Sequence, residues 1–191
     1  MQQTCLYTVT VFTDDQVDLL NQVSIVFTRR RQNIESLSAS PTSIPGVSKF
    51  TFTCWSTLRM MEQVVKQIEK RVGVLKAFLH TDDDIVYQNI ALYKVPTRSL
   101  VDNHVVEKIL RRHNARILEI TEAYTVIEKT GHNDETRALF EELMQYGLTQ
   151  YVRSGRVAVT KDAAEHFTAF LEEQRRLEQS QADAAANSND N

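Results

Sequence analysis

Strand and helix periodicities alternate along this chain in the order β-α-β-β-α-β, and the same order is then traced a second time. Leu6 to Thr13 alternates and is rich in Val, Thr, Tyr and Phe, so it reads as a strand. Leu19, Leu20, Val23, Val26 and Phe27 then fall on one helical face. Ile34 to Ser40 is a second strand, and Pro45-Gly46 turns the chain. In the third strand, Val47 to Cys54, the residues Phe50, Phe52 and Cys54 point to one side. Met61, Val64, Val65, Ile68 and Val72 make a second helical stripe, Gly73 ends it, and Val74 to His80 is a fourth strand. Two apolar stripes and a one-sided sheet are all buried if both helices cover one face of a four-stranded antiparallel sheet, the ferredoxin-like plan.

The second tracing starts after the acidic run Asp82-Asp83-Asp84, which reads as a hydrated turn between domains. Ile85 to Val95 is a strand, Pro96 to Ser99 a turn, and Asp102 to His113 a helix with Val105, Val106, Ile109 and Leu110 inward. Strands at Arg116 to Ile120 and Ala123 to Lys129 follow. A helix from Asn133 to Met144 turns Leu139, Phe140 and Leu143 inward, Gly147 stops it, and Leu148 to Ser154 is a strand. Val157 to Val159 is a short strand. Lys161 to Gln179 is a last helix with Phe167, Phe170 and Leu171 on one stripe. The fold class is therefore α+β, with two ferredoxin-like βαββαβ domains at 1–81 and 85–160, a terminal helix at 161–179, and a polar tail at 180–191 expected to be disordered. The halves share the order of elements, not the residues. Asp14 and Asp15 are placed to cap the first helix, Ser56 or Thr57 the second, and Asn133 the fourth. Arg29, Arg30 and Arg31 fall in the last turn of the first, where cations oppose the helix dipole.

Composition removes several classes of function. A net charge of −3 lacks the basic excess of a general nucleic-acid binder. The aromatic pair in Lys49-Phe50-Thr51-Phe52 has no RNP-type glycines around it and reads as core packing. No run of 18 apolar residues marks a membrane span. Met1 to Thr4 lacks the basic and long apolar regions of a signal peptide, so a cytoplasmic location is the default expectation. Cys5 and Cys54 lie on strands, where a reduced Cys serves as a small hydrophobe.

Chemistry-bearing motifs are scarce. The five glycines (46, 73, 131, 147 and 155) stand at element boundaries, so no phosphate-cradling loop can form. His80, His104, His113, His132 and His166 make no His-x-x-x-His pair, and a zinc site is not expected. No residue is assigned a catalytic or metal-binding role.

One segment is specific: Phe27-Thr28-Arg29-Arg30-Arg31-Gln32-Asn33-Ile34-Glu35-Ser36-Leu37. With Ile90-Ala91-Leu92-Tyr93-Lys94-Val95, Glu128-Lys129-Thr130-Gly131 and Tyr151-Val152-Arg153-Ser154-Gly155, it resembles the small regulatory subunits of acetolactate synthase (acetohydroxyacid synthase). The resemblance covers Leu6 to about Lys161. It implies an N-terminal ACT domain that forms a homodimer, a C-terminal ACT-like domain of the small-subunit type, and a partner, the large catalytic subunit. Thiamine diphosphate, magnesium and FAD are expected on that partner and no cofactor on this chain. The small subunit would activate its partner in valine, isoleucine and leucine biosynthesis and transmit feedback by valine.

Under that resemblance the effector residues are Asp15, Gln16, Val17, Asp18, Leu19, Asn33 and Ile34, and the candidate partner contacts are Arg29, Arg30, Arg31 and Glu35. A helix N-terminus supplies N–H donors to an amino-acid carboxylate, and Asn33 offers an amide donor and an acceptor. The loop departs from the family pattern. Valine-sensing members carry Asn and then Gly where this chain has Asp15 and Asp18, so two negative charges face the effector's carboxylate. The expectation is weakened or lost valine affinity with activation retained. The alternative reading is a free-standing ACT-type sensor of another small ligand acting on a different enzyme. A stand-alone enzyme is a further alternative, and an RNA-binding protein the most distant.

Overall fold

The computed structural model describes residues 4–101, 104–162, 166–173 and 175–176. The expected tail at 180–191, the end of the last helix and the start of the third lie outside the described residues. Both predicted βαββαβ units are present. The first runs β1 (Cys5–Asp14), α1 (Leu19–Arg29), β2 (Ser36–Pro41), β3 (Val47–Ser56), α2 (Leu58–Ile68) and β4 (Val74–His80). The second runs β5 (Ile85–Pro96), a short α3 (Arg98–Val101), α4 (His104–Arg112), β6 (Arg116–Ile120), β7 (Tyr124–Gly131), α5 (Asn133–Met144) and β8 (Gln150–Arg153), followed by β9 (Val157–Thr160). Both sheets are antiparallel, in the orders β2-β3-β1-β4 and β6-β7-β5-β8.

Alternation along β1 decides the layering. Tyr7, Val9 and Val11 face α1 and α2, where they pack with Phe52, Cys54, Val23, Phe27, Met61 and Ile68 in one core. Fully burying an aliphatic or aromatic side chain stabilises by roughly 1.5–3 kcal/mol, so this cluster dominates the first unit. Thr8, Thr10 and Phe12 face the other way, beside Lys49, Thr51 and Thr53 of β3. Most of that second face is buried too (Thr8 and Thr53 are at 0% and 2% exposure), because the second unit lies over it. In the second unit Ala91, Tyr93, Val95 and Ile127 pack on Val106, Ile109, Leu139 and Leu143, and the Tyr93 hydroxyl donates to the Thr136 carbonyl at 2.6 Å.

The two units share a cap chemistry that neither sequence displays. At the end of α1 the Gln32 N–H donates to the Phe27 carbonyl and the Arg31 N–H to the Thr28 carbonyl, with Arg31 at φ 54°. At the end of α4 the Ala115 N–H donates to Leu110 and the Asn114 N–H to Arg111, with Asn114 at φ 50°. Each pair is the 6→1 and 5→2 pattern that closes a helix through one left-handed residue. Asn tolerates that conformation, whereas Arg pays for its Cβ by about 1 kcal/mol. Arg31→Gly is therefore expected to raise stability by about 0.5 kcal/mol after the added freedom of the unfolded chain is set against it, read as a higher urea midpoint. A lower midpoint would show that the Arg31 side chain holds the fold.

Several sequence expectations need correction. The residue at the start of α1 is Asp18, not Asp14 or Asp15; Asp14 closes β1. Thr57 does precede α2, but its side chain makes no capping bond. His132 rather than Asn133 precedes α5, and its N–H donates to the Glu135 carboxylate at 2.7 Å. Val72 is 90% exposed because α2 ends at Ile68, and Val105 is 44% exposed because it falls on the outer side of α4. β2 begins at Ser36, two residues later than expected, and β7 extends to Gly131.

Candidate functional site

The loop from β1 to α1 is tied to both neighbouring turns. The Asp14 N–H donates to the Gly73 carbonyl and the Asp15 N–H to the Gly46 carbonyl, each at 2.9 Å. Ser48 donates to the Asp15 carboxylate at 3.0 Å. Asp18 adopts φ 79°, a conformation that favours glycine. Its carboxylate does not reach the first-turn N–H groups. It accepts instead from the side-chain amides of Asn21 at 3.0 Å and Gln22 at 3.4 Å. Both Asp15 and Asp18 thus have neutral partners. Val17 stands out at 98% exposure, Gln16 is exposed beside it, and Leu19 is buried against Gly73.

Asn33 is exposed, and Ile34 packs on the edge of the first core. They follow the C-terminal end of α1, whereas residues 15–18 precede its start. The 11 residues of α1 span about 16 Å at 1.5 Å per residue. One chain therefore does not bring Asn33 to the loop.

The basic cluster divides. Arg30 turns inward: its Nε donates to Gln67 at 2.8 Å and its Nη1 to Gln63 at 2.6 Å, clamping α1 to α2. Arg29 and Arg31 are exposed. Glu35 meets Arg153 at 4.0 Å. Two of the family-like segments, residues 33–37 and 151–155, thus come together.

That seam has a physical cause. Between the pairs Ala91–Arg153 and Gln88–Val157, two residues of β5 oppose three of the returning chain, Ser154, Gly155 and Arg156. The extra residue is a β-bulge, which re-aims a side chain. Ser154 anchors it: its N–H donates to the Ile90 carbonyl and its hydroxyl accepts from the Ile90 N–H. Gly155 lies so close to β2 that a Cβ there would sit 2.9 Å from the Leu37 carbonyl oxygen. Beyond the bulge Arg156 enters the first unit, 3% exposed. Its Nη1 donates to Thr8 at 3.0 Å and to Asp82 at 2.6 Å, and its guanidinium lies 3.7 Å over the Tyr87 ring. Asp82 is therefore not simply part of a hydrated turn. Asp84 of the same run accepts from the Thr81 hydroxyl and N–H, which hold its carboxyl below the usual carboxylate range. Sequence reading stopped at Gly155 and missed Arg156; the signal was an Arg directly after a strand-ending Ser-Gly.

Glu128 of the Glu128–Gly131 segment accepts from Thr130 and Arg116, which hold its carboxyl low. Cys5 and Cys54 are free thiols, and burial pushes the Cys54 thiol up. Among the described residues no group of three or more His, Cys, Asp or Glu gathers to hold a metal, and no helix is long and apolar enough to cross a membrane.

Comparisons with known proteins divide the chain at the same place. Residues 10–76 match the family model of the AHAS small subunit-like ACT domain, and residues 88–162 that of the small subunit of acetolactate synthase. The acetolactate synthase small subunit of Bacillus subtilis is 31% identical over 147 residues, 75% of this chain and 83% of that protein. That of Mycolicibacterium smegmatis is 28% identical over 155 residues, 81% and 91% of the two chains. The crystal structure of the Thermotoga maritima small subunit superposes with a TM-score of 0.74 at 23% identity, covering 83% of this chain and 99% of that one.

Proposed function

The chain belongs to the acetolactate synthase small-subunit family, and from that premise we propose that it binds and activates the catalytic large subunit of its own organism. The reaction then runs on that partner, with the thiamine diphosphate, magnesium and FAD held there and none on this chain. The setting is the cytoplasmic synthesis of valine, isoleucine and leucine.

The observation that carries the reading is the seam. Residues 33–37 and 151–155 are far apart in sequence and are joined by the Glu35–Arg153 pair and by the approach of Gly155 to Leu37. A free-standing ACT sensor has no need of the second segment. Exposed Arg29 and Arg31 beside the first segment provide cations for an acidic surface on the partner, while Arg30 holds the helices beneath them.

A homodimer completes the effector site in this reading. Asn33 and residues 15–18 sit at opposite ends of α1, so a second copy has to supply one half of any site that uses both. Binding there shifts activity only through a different affinity for the two states of the assembly.

Acetolactate formation by the large subunit, measured with and without this chain while valine is titrated, tests the reading. Activation with little or no inhibition by valine is the expected result. Activation with strong inhibition would keep the subunit and discard the weakened valine response. Absence of activation would overturn the reading in favour of a sensor with another partner.

A further inference from the structure

The two sheets differ in what their outer faces carry. In the first, Thr8, Thr10, Thr51 and Thr53 lie on the face turned away from the helices, and all four are buried within the chain. In the second, Ala91, Tyr93 and Val95 pack toward α4 and α5, and Ile85 and Tyr87 pack on Ala158. Alternation sends their neighbours on β5 the other way. Val86, Ile90 and Leu92 stand on that outer face, with Val159 of β9 paired to Val86 and Val152 of β8 paired to Leu92. Val157, opposite Gln88, completes the strip. All six aliphatic side chains are between 38% and 64% exposed. A threonine face is covered while an aliphatic face is bare, the reverse of what apolar burial within one chain favours. The strip presents about 500 Å² of apolar surface, and patches of that size mark interaction sites.

We propose that this face is a contact between two copies of the chain, packed sheet on sheet across a two-fold axis, with β5 of one copy antiparallel to β5 of the other. The register of the strip fits such an axis. Crossing β5 at Asn89, it sets Leu92 of one copy over Val86 of the other, and Ile90 over Gln88. β8 and β9 follow one another along the same edge of β5, so Val152 comes over Val159. Each of these pairs occurs twice, as a self-complementary contact requires.

Charge selects the antiparallel arrangement. β5 opens after Asp82-Asp83-Asp84 and closes past Lys94, whose Nζ lies 4.0 Å over the Tyr124 ring. Parallel copies would set the acidic ends together and the two Lys94 side chains together. Antiparallel copies bring Lys94 toward the acidic run of the other copy. That run is only partly neutralised within its own chain: Arg156 pairs with Asp82, and Lys161 donates to the Asp83 carbonyl. Closing the two faces removes about 1,000 Å² from water, the lower bound of a specific interface, so the association is of moderate strength. It uses neither the loop at residues 15–18 nor the large subunit, and a homodimer through the first unit leaves this face free to pair.

Sedimentation velocity of the full chain from about 1 to about 500 μM, with Leu92→Glu, Val86→Lys and an equimolar mixture of the two variants, tests this. The parent is expected to show a concentration-dependent step with a Kd on the order of 10 μM. Each variant alone should weaken that step about a hundredfold, because it sets a charge against an aliphatic side chain at two places. The mixture should recover it to within about fivefold of the parent, since the introduced opposite charges then face each other and the other pair stays aliphatic. Both positions are exposed, so each variant should keep the urea midpoint of the parent. A first-unit homodimer is common to every sample and does not move with these substitutions. Unaltered association of either folded variant would overturn the proposal; if activation of the large subunit fell instead, the face would belong to that partner. A mixture no better than the variants alone would overturn the antiparallel two-fold. No association of the parent would overturn the contact between copies, and association gained on deleting residues 177–191 would then assign the face to the end of the chain.

Discussion

Asp82→Ala is expected to destabilise the chain by about 2 kcal/mol, more than Arg156→Met does, although Asp82 is the exposed member of the pair. The side chains of Arg156 and Asp82 are 2% and 48% exposed. Removing the carboxylate strands a buried cation, and breaking a buried pair from one side costs roughly 3–5 kcal/mol. Exposure of Asp82 lets water screen part of that, which brings the figure down. Among the described residues the Arg156 Nε has no hydrogen-bond partner to begin with, and Thr8 and the Tyr87 face would remain to hold the guanidinium. Arg156→Met removes the charge and keeps an apolar stem over Tyr87, which costs about 1 kcal/mol. The double variant should lie near Arg156→Met alone, because the stranded charge is gone. Urea midpoints at one fixed protein concentration check all three, since any dimer makes the midpoint depend on concentration. Asp82→Ala within about 0.5 kcal/mol of the parent would show that water screens the pair and that the seam rests on packing alone.

Much of the architecture was legible because one-sided burial leaves a period. Tyr7, Val9 and Val11 alternate with Thr8, Thr10 and Phe12, and Leu19, Val23, Val26 and Phe27 keep helical spacing, so strand and helix separate cleanly. Turn chemistry marked Gly46 and Gly73, both at positive φ. What the sequence hid was long-range. The pattern carried Val72 past the end of α2, since a helical stripe does not announce where its hydrogen bonds stop. Asp18 did not look like the residue that starts α1, and only the family resemblance placed it at a glycine position, because φ 79° is set by the turn and not by the residue in it. Asp82 looked solvated because its partner lies 74 positions away. Thr8 and Thr10, on the face of the first sheet turned away from α1 and α2, are buried although no local signal shows the pairing of β9 with β5.

The double variant Asp15→Asn with Asp18→Gly is expected to tighten valine binding by roughly ten- to a hundredfold, on the proposal that the β1–α1 loop is half of an effector site. An amino-acid ligand presents a carboxylate to the N–H groups at the start of α1, and the partial positive charge there favours it. In this chain that charge is opposed by two carboxylates whose partners are the neutral Ser48, Asn21 and Gln22. At a separation of about 6 Å each unit charge repels the ligand by up to roughly 3 kcal/mol at an effective dielectric of 20, and exposure to solvent reduces this severalfold. Glycine at position 18 also accepts φ 79° without the Cβ penalty and leaves the backbone open to close approach. The two substitutions should leave activation of the large subunit unchanged, since neither side chain reaches the seam at residues 153–156. Calorimetric titration of valine into the parent and the double variant reads the affinity, and raised salt should narrow the gap between them. Equal affinities at low salt would mean that the carboxylates do not face the ligand. Tight binding by the parent itself would mean that Asp15 and Asp18 have replaced the glycine-type loop without loss, and the expectation of a weakened valine response would fall with it.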